Sequence, residues 1–166
     1  MITTISRVWT RIETILIGLL IFAALFTFLG GAGLRAFAPA LAVDWADEVA
    51  IYFIIWATVL SGSSLLAEGR HIKTEVFVSM LPRSARTGLG WAVAALSIGF
   101  CVAILIYGWQ AYEFALLLDE RSGSSLRAPQ GYTVFLALPV GMALMLGRAA
   151  LLLLSGSRPF TAEGGE

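Results

Sequence analysis

Four stretches of this sequence, residues 14–34, 49–67, 87–112 and 128–147, contain no Asp, Glu, Lys, Arg or His. They run for 21, 19, 26 and 20 residues. At 1.5 Å per residue, about 20 apolar residues cross a hydrocarbon core about 30 Å thick. Inside that core no water satisfies a backbone amide, so a single-segment crossing must be helical. The sequence therefore predicts an all-α integral membrane protein with four transmembrane helices. The spans are expected at about 12–35, 47–67, 85–113 and 128–154, giving a transmembrane domain over 1–156 and a polar cytoplasmic tail over 157–166. Composition agrees, at 58% hydrophobic and 13% charged with a mean hydropathy of +0.85; soluble domains carry about a quarter charged residues. Small-residue patterns at Ala36-Phe37-Ala38 and Ala40-Leu41-Ala42 raise the alternative of a signal peptide. Signal cores are shorter, about 7 to 15 residues, so a retained span is expected.

Between the second and third stretches lies the strongest cluster of positive charge, residues 68–86, with Arg70, Lys73, Arg83, Arg86 and the single histidine, His71. There Ile72, Val76, Phe77 and Met80 share one side of a helix, while Lys73, Thr74, Glu75 and Ser79 fall largely on the other. A basic amphipathic helix at about 71–81, lying flat in the headgroup layer, is expected. Its basic residues either bind anionic lipid or simply set topology. Four spans put both termini and this connector on one side, which holds eight Lys and Arg against three on the other. The positive-inside rule then places both termini in the cytoplasm. The opposite face carries Asp44, Asp47, Glu48 and a charged, flexible loop around Asp119, Glu120 and Arg121.

Within the spans, Ala95, Gly99 and Ala103 repeat every four residues, a pattern of close helix approach within the subunit or against a partner. Gly62, between Ser61 and Ser63, has the same character. Trp91, Trp109 and Tyr112 mark the interfaces of the third span. Pro129 suits a helix start, and Pro139 should kink the fourth span. Glu13 and Glu113 sit at span edges, where water is expected to reach them, and no ionisable group is expected deeper. Intramembrane charge is the usual mark of proton relays and ion pathways, so a self-sufficient ion-coupled transporter is disfavoured. A small multidrug-type exporter would need a Glu well inside its first span. One histidine excludes a bis-histidine haem and makes a poor metal site, although an accessory anchor of a respiratory enzyme stays open. A lone Cys101 excludes a dithiol, and no basic run suggests nucleic acid. No catalytic or metal-binding residue is expected.

Three segments, in this order and spacing, resemble the small membrane subunit of tripartite ATP-independent periplasmic (TRAP) transporters, the DctQ-like family. The first is Trp45-Ala-Asp-Glu-Val-Ala-Ile-Tyr52 leading to Trp56. The second is Ala67-Glu-Gly-Arg-His-Ile-Lys73 leading to Leu81-Pro82. The third is Ser124-Ser-Leu-Arg-Ala-Pro129, followed by Leu138-Pro-Val-Gly141. Each is short; together with the length and the four-span layout, the match covers about residues 10–155. The resemblance implies a non-catalytic subunit in the bacterial inner membrane that braces a large elevator-type permease and helps to dock a periplasmic solute-binding protein. It implies import of organic acids such as C4-dicarboxylates or sialic acid, with no cofactor in this chain and sodium held by the large subunit. Glu48, Trp56, Gly69, His71, Pro129 and Pro139 fall on recurrent family positions, with a structural role.

Overall fold

The computed structural model describes residues 2–67 and 83–154. The interfacial helix expected at 71–81, with Gly69, Arg70, His71 and Lys73, lies outside the described residues. Four long helices are present: α1 (Ile2–Phe37), α2 (Ala46–Ala67), α3 (Arg83–Leu117) and α4 (Ala137–Leu154). Each contributes to one of four helical segments long and apolar enough to cross a membrane, the last of them, Gly131–Leu153, beginning just before α4.

α1 starts at Ile2, well before the expected start of the first span at about residue 12. No Pro or Gly interrupts it before Gly18, and side chains reinforce its early turns. The Thr14 hydroxyl donates to the Thr10 carbonyl at 2.8 Å, and the Trp9 indole donates to Glu13 at 2.7 Å. Its far end is set by Pro39, because the residue before a proline avoids the helical region; Ala38 takes φ −143° and ψ 66°. A single 3-10 turn, Pro39–Leu41, then redirects the chain. α2 opens with Asp47 and Glu48 in its first turn, where carboxylates suit the positive end of the helix dipole. Gly31 lets α1 meet this end of α2, since a Cβ there would overlap that of Ala46.

The helices do not close into a ring. α1 packs along α2, α2 along α4 and α4 along α3, while α1 touches α4 only slightly and makes no substantial contact with α3. The spatial order is a row, α1–α2–α4–α3. Only 11% of the most apolar window is buried in each outer helix, against 28% in each inner one.

The α3–α4 seam uses small residues at a spacing of seven: Ala94, Cys101, Gly108 and Ala115 are all buried. A seven-residue repeat keeps one line facing a partner along a slightly supercoiled pair. A Cβ at Gly108 would lie 3.2 Å from the Pro139 ring, and the Cys101 sulfur sits 3.9 Å from that of Met145. The stripe singled out in the sequence is a different one. Ala95 and Gly99 point outward, Ala103 is half-buried, and a Cβ on Gly99 would meet nothing within 4 Å.

The fourth crossing segment, Gly131–Leu153, departs from a regular α-helix close to Pro139 but not at the proline itself. Pro139 falls in the first turn of α4, where a missing N–H is tolerated. The irregularity is taken up just before, by a π-helical turn at Gly131–Phe135. The Trp56 indole reaches from α2 to donate to the Thr133 carbonyl within that turn at 3.0 Å.

Candidate functional site

Polar side chains gather at two places in this row of helices, one at each end. At the loop end, the connection after α3 is closed rather than loose. Asp119 ends α3 with φ 46°, and Glu120 N–H returns to the Ala115 carbonyl at 3.0 Å, a left-handed helix stop that Asp tolerates better than most residues. Two backbone bonds then pair 120–122 with 128–130: Gln130 N–H to Glu120 O at 2.9 Å and Ser122 N–H to Ala128 O at 3.0 Å. The expectation of a flexible loop fails here because Ser122, buried inside the turn, accepts from Ala128 N–H and shares a hydrogen bond with Ser124.

This turn is fastened to the α1–α2 connection. Asp44 accepts from both the backbone N–H of Ser125 (2.8 Å) and its hydroxyl (2.5 Å). Those two bonds, the hydroxyl first, hold the Asp44 carboxyl below its ordinary range. Glu48 accepts from Tyr52 and faces the hydroxyls of Ser124 and Ser122. Arg35 at the end of α1 makes a two-pronged pair with Asp47 at 2.7 and 2.8 Å. Arg121 pairs with Asp119, lowering the Asp119 pKa and raising its own. Of the residues assigned to a docking surface, Asp44 and Asp47 are thus occupied inside the subunit. Asp119 and Arg121 stay exposed at the tip, and Glu120 uses its backbone to close the turn.

At the termini end lies a feature opposite to expectation. Glu13 is 3% exposed and Arg148 0%, and they form an ion pair at 2.7 Å. Trp9 completes the cluster: its indole N–H donates to Glu13, and its ring lies 4.8 Å from the Arg148 guanidinium carbon. Both charged residues fall inside the membrane-crossing segments, 7–37 and 131–153. Glu13 is not a water-exposed edge residue, and the spans do bury titratable groups. Measuring charge-free stretches hid this, because each stretch ends by construction at the charge itself, although α1 and α4 continue past it. A usable signal was present: Trp9 lies one helical turn before Glu13, and a lone Arg is followed by the apolar run Ala149–Leu154.

The other sequence-selected residues take structural places. Gly62 faces Met145 across α2–α4, and Pro139 is fully buried against Gly108. Pro129 receives both the N–H and the hydroxyl of Thr133 on its carbonyl. Arg83 and Arg86 open α3, and their side chains are outside the described residues. Among the described residues no three His, Cys, Asp or Glu side chains come together.

These features define a multi-span helical membrane protein in which the buried Glu13 and Arg148 bind each other across helices. The sequence matches the family model described as "Tripartite ATP-independent periplasmic transporters, DctQ component" over residues 32–158. The chain belongs to that family, the small membrane component of TRAP transporters. No curated protein is similar enough to match it.

Proposed function

We propose that this chain is the small, non-catalytic membrane subunit of a TRAP-type secondary transporter, bracing a large elevator-type permease that carries the substrate and sodium sites. The observation that carries this reading is the open row of helices. The outer helix α1 is tied to the inner helix α4 by the Glu13–Arg148 ion pair, and the two outer helices leave most of their apolar surface uncovered. A slab whose buried charges compensate one another is suited to holding another membrane protein. Among the described residues, the buried charges Glu13 and Arg148 are committed to each other, whereas conduction or coupling would need an exchangeable charged site.

In this proposal both termini face the cytoplasm of a bacterial inner membrane, supported by the eight-to-three bias of basic residues. The loop end, ordered by Asp44, Ser125 and Glu48, contributes to docking of a periplasmic binding protein through the exposed Asp119–Arg121 tip. The transported solutes are organic acids, such as C4-dicarboxylates or sialic acid.

The test is reconstitution. Liposomes holding this chain alone should take up no organic acid under an inward sodium gradient, and co-expressed large subunit should co-purify with it. Solute uptake by the chain alone, or failure to retain any large membrane partner, would end the proposal.

A further inference from the structure

The fourth crossing segment changes its hydrogen-bond spacing along its length. Before the π-helical turn, the Thr133 N–H bonds four residues back to the Pro129 carbonyl at 3.3 Å. Within it, the Leu136 N–H bonds five residues back to Gly131 at 2.9 Å, and after it Val140 returns to four, on Leu136 at 3.2 Å. The turn thus holds one residue more than a regular helix needs. Its effect shows in what faces α3. Pro139 meets Gly108, and Gly131, eight residues earlier, meets Leu116 and Ala115. At 3.6 residues per turn, eight residues overshoot two turns by about 80°, so a regular helix would not put both on one side. Seven residues fall within about 20° of two turns, and the residue seven before Pro139 is Tyr132. A regular helix would aim Tyr132 at a place where even a Cβ on Gly131 lies 3.0 Å from the Leu116 side chain. With the extra residue, Tyr132 is instead 53% exposed and stands edge-on to Tyr112, ring centroids 5.7 Å apart.

Both ends of this stretch are fixed independently. Before it, the Gln130 N–H is held by the Glu120 carbonyl and the Ser125 N–H by Asp44. After it, Gly141 lies against Val59 of α2 and Pro139 against α3. Inside a bilayer a main-chain carbonyl must be satisfied within the protein. Trp56 gives the Thr133 carbonyl a bond from α2 where the ladder changes spacing. We infer that the π turn is a register device: one extra residue, held by Trp56 as a positioning residue, that lets the clamped loop end and the seated α4 coexist, with Gly131 in the α3 seam and Tyr132 outside it. The inference rests on packing within this chain, so it stands or falls separately from the transporter reading.

The experiment removes single residues from the full chain and reads reversible unfolding in detergent micelles with increasing sodium dodecyl sulfate. Deleting Thr133 leaves Gly131 and Pro139 seven apart, a spacing that a regular helix satisfies. That variant should fold, with an unfolding equilibrium constant within about tenfold of the parent. Deleting Ala143, inside α4, turns Arg148 and Met145 by about 100° relative to Pro139, away from Glu13 and Cys101. It should shift the equilibrium by at least about a hundredfold or prevent folding. Trp56→Phe should cost about tenfold more in the parent than in the Thr133 deletion, where no π turn is left to support. Hydrogen exchange adds a local readout: in Trp56→Phe, protection of the Leu136 N–H should fall while that of Val140 is kept. A Thr133 deletion as damaging as the Ala143 deletion would overturn the inference. So would a Trp56→Phe effect of equal size in both backgrounds, or unchanged protection at Leu136.

Discussion

Removing the charge from Glu13 tests whether the polar cluster at the termini end holds α1 to α4. Arg148 is fully buried and lies 2.7 Å from the Glu13 carboxylate, and α1 and α4 otherwise scarcely touch. Glu13→Gln keeps the shape and can still accept the Trp9 N–H, but leaves the guanidinium buried without a counter-charge. Breaking one side of a buried pair costs about 3–5 kcal/mol, and the isosteric change should fall near the lower figure. About 3 kcal/mol shifts the unfolding equilibrium on the order of a hundredfold. Arg148→Met should cost a similar amount by stranding the carboxylate. The double variant removes both charges and should lose only about 1 kcal/mol, since an apolar replacement of a buried pair is often close to neutral. The assay is reversible unfolding in detergent micelles with increasing sodium dodecyl sulfate, followed by tryptophan fluorescence and combined as a double-mutant cycle. A coupling of at least about 2 kcal/mol between the two sites is expected. Single variants within about 1 kcal/mol of the parent, or strictly additive effects, would refute the reasoning.

Three further outcomes follow from the packing and the loop geometry. Gly141→Ala puts a methyl group into the Val59 side chain at the α2–α4 contact, and the same unfolding assay should show a loss of about 1–3 kcal/mol from overpacking. Gly99→Leu enters open space on α3, so the isolated subunit should unfold unchanged. If that face meets the large subunit, co-purification should fall. Asp44 has a folded pKa below its unfolded value, so its stabilisation of the loop junction is complete above about pH 4 and disappears as pH falls through the folded value. Protection of the Ser125 N–H, taken as its exchange relative to the intrinsic amide rate at each pH, should fall on acidification across that window, and Asp44→Asn should remove that pH dependence of the protection.

Four crossings could be read from the chain directly, as could the stop before Pro39 and the acidic start of α2. Each depends on residues within one or two turns: an apolar run compared with bilayer thickness, a proline disfavouring the helical region before it, a carboxylate at a helix N-terminus. The loop after α3 was misjudged because its charge and its Gly-Ser content describe an unpaired segment. Asp44, 81 residues earlier in the chain, supplies its anchor. The small-residue stripe at Ala95 and Gly99 was a sound local pattern on the outward face. The buried line, Ala94 to Ala115, repeats at seven and becomes meaningful only once α4 is known to lie against it.

The sequence alone determined that this is a four-span helical membrane protein, because crossing a bilayer depends on length and apolarity within a single segment. Tertiary structure decided that the helices stand in a row. It also decided that Trp56 reaches a carbonyl 77 residues away and that Glu13 meets Arg148 across 135 residues. Those choices depend on which helices become neighbours. In a membrane that is settled by side-chain packing and the pairing of buried polar groups, which no local periodicity records.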